Sequence, residues 1–106
     1  MTVQLFMHDK RLGIPVPTFL DNLNDLSEET RNSVLYQWEV IRGTIPDRIA
    51  ELEKEINVKQ KQLSEETDFD ISCQLNEEIS ELASIINDLW IWFRKNEVSS
   101  ASKPLH

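Results

Sequence analysis

The sequence predicts an all-α fold: an antiparallel, coiled-coil-like helical hairpin with an additional N-terminal helix packed at its open end, dimerising into a helical bundle. Three observations carry this expectation. Leu75, Ile79, Leu82, Ile86, Leu89 and Phe93 recur at alternating spacings of 4 and 3, the mark of a sustained helical seam. A second apolar series, Ile45, Ile49, Leu52, Ile56 and Leu63, matches the first when the chain doubles back between them. The 106 residues include only 2 Gly, too few for the turns of a sandwich or barrel. The length suits one domain, and a hydrophobic content of 40% is too high for a disordered chain.

Residues 1–26 read as an extended or short-helical segment. Val3, Leu5 and Met7 alternate too briefly to assign, and Gly13-Ile14-Pro15-Val16-Pro17 forbids helix, because each Pro restricts itself and the residue before it. Thr18 is placed to cap a short turn carrying Phe19, Leu20, Leu23 and Leu26. Residues 27–96 form the helical domain, with helices expected over about 28–42, 45–64 and 69–95. Ser27-Glu28-Glu29 opens the first with a cap and acids in its first turn. That helix carries Val34, Leu35, Trp38 and Ile41 on one face and ends at Arg42-Gly43, with Gly at the position after the last turn. Thr44-Ile45-Pro46-Asp47 restarts the chain as a capping box with Pro in the first turn. Ser64 to Asp68 is polar and capable of capping and reads as a turn, although it lacks Gly and Pro; one continuous helix of about 50 residues is the alternative. Residues 97–106 read as a disordered tail.

With the turn at 64–68, Ile45 faces Leu89, Ile49 faces Ile86, Leu52 faces Leu82, Ile56 faces Ile79 and Leu63 faces Ile71. The core and dimer seam is therefore Ile49, Leu52, Ile56, Leu75, Ile79, Leu82 and Ile86. Lys59 falls opposite Leu75, where its stem covers the leucine and its ammonium reaches water. Such a hairpin is roughly 30 Å long, and the first helix covers only about half of it. A second copy is the economical cover for the rest.

Net charge is −8, so nucleic acid is a poor partner. Residues 67–96 hold six acids and two bases, and no cation lies between Asp68 and Asp88. Leu89-Trp90-Ile91-Trp92-Phe93 is apolar around the whole helix, with Trp90 and Trp92 about 200° apart, so only one can face the first helix. The expected function is a non-catalytic, small acidic protein–protein interaction module, an adaptor or regulator working through helix packing. Trp38, Trp90, Trp92, Phe93, Asp70, Glu77, Glu78 and Glu81 are the candidate partner contacts, suited to a partner with a basic or apolar groove. The Gly13–Phe19 segment is a further candidate for docking. The alternative is an acidic nucleic-acid mimic that antagonises a basic protein surface.

No enzyme is expected. His8 and His106 lie near the ends without an orienting neighbour. Cys73 sits among Asp70 and Glu77, a setting that does not activate a thiol. Glu77, Glu78 and Glu81 lack the Glu-x-x-His partner of a di-iron bundle, and no phosphate loop, nucleophile elbow or zinc spacing occurs. Neither metal nor cofactor is expected. The longest apolar run, Leu89–Phe93, is too short to span a membrane, no leader pattern opens the chain, and a cytoplasmic place follows. Helical periodicity of this kind identifies no family.

Overall fold

The computed structural model describes residues 6–18 and 26–94. Its elements run β1 (Phe6–Asp9), β2 (Ile14–Pro17), α1 (Glu28–Arg42), α2 (Ile45–Glu65) and α3 (Phe69–Arg94). The chain is mostly helical, as expected, with a two-stranded antiparallel sheet in addition. The expected turn at 19–25 and the expected tail at 97–106 lie outside the described residues.

The sheet adds strands to the expected all-α class and gives form to the segment read as extended. In it Phe6 pairs with Pro17, Met7 with Val16, His8 with Pro15 and Asp9 with Ile14. The connecting loop explains why a four-residue strand can hold here. The Asp9 carboxylate accepts the Leu12 N–H at 2.9 Å, and the Gly13 N–H donates to the Asp9 carbonyl at 2.7 Å. Gly13 closes the loop at φ 81°, a left-handed conformation in which a side chain is strained. A short polar residue that bonds ahead to the backbone, followed by Gly, is ordinary turn chemistry.

Local signals account for the helix limits. The Ser27 hydroxyl accepts the Thr30 N–H at 3.1 Å and starts α1 as expected. The junction to α2 differs from expectation at two residues. Gly43 has φ −66° and ψ −17°, and Thr44 makes no side-chain cap. The Thr44 hydroxyl instead donates back to the Ile41 carbonyl at 2.7 Å. The chain therefore stays near helical geometry through 43–44, and neither a left-handed Gly nor a capping box forms. Glu66 is extended at the end of α2, and the Asp68 carboxylate accepts the Ile71 N–H at 3.1 Å to open α3.

α2 packs against α3 more extensively than any other pair of helices. The core gathers Leu12 and Ile14 from the ribbon, Val34 and Trp38 from α1, Ile45, Ile49 and Leu52 from the start of α2, and Ile85 and Leu89 from the end of α3. Each fully covered aliphatic side chain contributes roughly 2 kcal/mol. Ile85 was not part of the expected seam. It is buried in one cluster with Leu12 and Ile14 of the ribbon and Val34 and Trp38 of α1.

Candidate interaction surface

Along α2 and α3 the covering is uneven. At the end held by α1 and the ribbon, Ile45, Leu52 and Leu89 are completely buried. At the turn end Leu75 alone is buried, while Ile56, Leu63 and Ile79 are half-buried. Val58, Phe69 and Ile71 are exposed there, Phe69 at 77%. Two open recesses lie beside them. One, of about 390 Å³, is lined by Gln62, Glu65, Glu66, Ile71 and Leu75, and the other, of about 280 Å³, by Lys54, Glu55, Val58, Lys59 and Gln62. Such shallow, open recesses suit a helix or loop better than a small molecule.

Of the expected partner contacts, the aromatics divide. Trp38 is 1% exposed and meets Trp92 edge to face at 5.6 Å between ring centres. It is therefore core, because α1 turns it inward beside Val34, and it offers nothing to a partner. Trp92 is half-buried by the same contact. Phe93 is held by Arg42, whose guanidinium lies 5.0 Å above its ring and donates from Nη1 to the Phe93 carbonyl at 3.2 Å. Trp90 packs its edge on Phe93 at 5.4 Å and stays 37% exposed. Ile91 is 41% exposed on a separate side of the helix. The Ile-Pro-Val-Pro stretch forms β2, with Ile14 and Pro17 buried, so it lies across the core instead of projecting as a docking peptide.

The acids divide too. Arg11, at the tip of the ribbon loop, crosses to α3 and donates to Asp88 at 2.8 Å, Ser84 at 2.8 Å and Glu81 at 3.0 Å. Its hydrogen bonds to Asp88 and then Glu81 raise its pKa further above the ordinary arginine value. Lys59 donates to Glu78 at 2.9 Å across from α2. The bond from Lys59, with a second from Gln74, holds the Glu78 carboxyl below its usual range. Lys59 thus pairs with a carboxylate where a free ammonium over Leu75 was expected. Arg48 fastens the ribbon loop from the other side, donating from Nε to the Leu12 carbonyl at 2.9 Å. Asp70 and Glu77 are exposed, and neither has an ion-pair partner among the described residues.

Sequence reasoning missed Arg11 and Gly13. The signal for Arg11 was present: Glu81, Ser84 and Asp88 share one face of a helix that has no cation before Arg94, so a cation from another element was needed. The signal for Gly13 was Asp9 four residues before it.

Among the described residues no group of three or more His, Cys, Asp or Glu is placed to hold a metal ion. No helix among them is long and apolar enough to cross a membrane. Comparison with family models, with curated proteins and with solved structures finds no match.

Proposed function

We propose that this chain is a non-catalytic, acidic helical protein–protein interaction module that acts as an adaptor or regulator through helix packing. In this reading α2 and α3 work as an antiparallel, coiled-coil-like hairpin. α1 and the ribbon brace its open end, and the hairpin pairs with a second copy to form a helical bundle. The observation that carries the reading is the one-ended core: nine buried residues cluster where α1 and the ribbon lie, while Val58, Phe69 and Ile71 at the other end remain exposed. A helix that leaves its apolar side in water is unfinished until another surface covers it. Trp90, still 37% exposed, is the aromatic best placed as an anchor at a protein contact. The exposed free thiol of Cys73 suits a reducing compartment such as the cytoplasm.

The nucleic-acid-mimic reading has less support. A phosphate-like stripe requires carboxylates free to face a basic protein, and Glu78, Glu81 and Asp88 are already held by Lys59 and Arg11. Multi-angle light scattering at tens of micromolar tests the module reading through its pairing, with twice the chain mass expected. A monomer at that concentration contradicts the pairing.

A further inference from the structure

We infer that the second copy docks on one face of α3, a charge-free stripe made of Phe69, Ser72, Asn76, Ile79, Ala83, Ile86 and Trp90, and that the two α3 helices run antiparallel across it. The inference rests on the module reading and specifies which face pairs, in which direction and in which register.

The stripe follows from helical spacing. Its residues are separated by 3, 4, 3, 4, 3 and 4 positions, so at about 100° per residue they fall on one side of the helix. This second seam shares Ile79 and Ile86 with the seam that faces α2 but is rotated away from the ribbon. Phe69, Asn76, Ala83 and Trp90 are exposed on it, and Ser72, Ile79 and Ile86 are half-buried. Every acid of α3, namely Asp70, Glu77, Glu78, Glu81 and Asp88, falls on another side. On the ribbon's side, Arg11 already fastens Glu81 and Asp88. The stripe is thus the face on which a second, equally acidic helix can approach without meeting like charge.

The direction follows from what each end carries. A two-fold axis makes residue i meet residue j and residue j meet residue i. Centred near Ile79, it sets Phe69 against the second copy's Trp90, Ser72 against Ile86, Asn76 against Ala83, and Ile79 against its own counterpart. Large aromatics then meet at the two ends, and Ile79 and Ile86 meet between them among small or amide side chains. The same axis brings Arg94, an exposed cation with no ion-pair partner among the described residues, to within about one helical turn of the second copy's Glu66 and Asp68. A parallel arrangement would set Arg94 against Arg94 and one acidic turn against the other. From Phe69 to Trp90 the helix is about 32 Å long, and with the adjoining flank of α2 the face is about 20 Å wide. That covers roughly 600 Å² on each copy, near the lower limit of stable protein interfaces.

Cysteine cross-linking tests the register. In a Cys73→Ser background, the double variant Phe69→Cys with Trp90→Cys is expected to oxidise to a covalent dimer. Neither single variant should do so, because each lone thiol faces an aromatic ring. Cross-linking by either single variant would show a parallel pair and overturn the inference. Ala83→Arg supplies a second measurement, since this exposed position tolerates the change in a folded monomer. Circular dichroism should be unchanged while the dimer dissociation constant rises about a hundredfold. A wild-type dimer that Ala83→Arg leaves intact would mean that the copies pair by another face, which refutes the stripe and spares the module. A wild-type monomer would refute the pairing itself.

Discussion

The two ends of the α2–α3 pair are built from similar sequence and are closed by different means. At the braced end, Ile45, Ile49, Leu52, Ile85 and Leu89 are covered by Trp38, Val34, Leu12 and Ile14 of the same chain. At the turn end Leu75 is buried, but Ile56, Leu63 and Ile79 sit at the same kind of seam position and stay half-buried. The difference lies in the neighbours and not in the seam. α1 and the ribbon are too short to run the length of α3, so the same heptad spacing yields a core at one end and an apolar surface at the other. A hydrophobic repeat therefore states that a helix has a packing face, without stating whether its own chain supplies the cover.

The contrast can be broken most forcefully at the braced end. Trp38→Ala removes the largest buried side chain of the core and its edge contact with Trp92. A loss of about 3–5 kcal/mol is expected, measured by chemical denaturation. A loss under about 1 kcal/mol would mean that α1 does not brace the pair. Gly13→Ala comes next. Its β-carbon would lie 2.6 Å from Arg48 Nε at a φ of +81°, so both the loop and the Arg48 clamp must shift. A loss of about 1–2 kcal/mol is expected; an unchanged denaturation midpoint would show that the ribbon is not fastened there.

Ile56→Ala, at the turn end, should cost about 1 kcal/mol in dilute solution, below the usual range for a buried isoleucine. The cost should grow with protein concentration as pairing covers the site. The Lys59–Glu78 clamp should give the smallest effect, because both groups are partly solvated. Glu78 has a lowered folded pKa. Its contribution is therefore fully present above the unfolded carboxylate value of 4.5 and is lost as pH falls through the lower folded value. Glu78→Gln should lower stability slightly at neutral pH, and the two stability–pH curves should converge as pH falls through that lower value, so that the variant's acid limb is the flatter. An identical acid limb in the variant would show the clamp to be open in solution.

What the sequence made legible follows the range of each interaction. The helix limits were readable because their causes are local: Ser27 and Asp68 accept an N–H three residues on, and Pro46 fits the first turn of α2 because it has no N–H to leave unpaired. The ribbon was not readable from its strands, because four residues interrupted by prolines carry no clear alternation, and its cause sits in the Asp9–Gly13 loop. Of the two glycines, Gly43 follows a helix yet stays near helical geometry, and Gly13 is the left-handed one. Side-chain partners from distant segments were the least legible. The cation-free stretch from Asp68 to Asp88 looked like an unanswered stripe, yet Arg11 and Lys59 reach three of its carboxylates from elsewhere in the chain. Likewise the spacing of Trp90 and Trp92 showed that they diverge, but only the position of α1 shows that Trp92 is the one that turns inward.

Residue-resolved hydrogen exchange at two protein concentrations tests the one-ended core most directly. Amides at 45–52 and 85–89 should be strongly protected at both concentrations, because their own chain covers them. Amides at 56–63 and 71–79 should exchange faster in dilute protein and gain protection as the concentration rises. Equal protection at both ends, unchanged by concentration, would contradict the account.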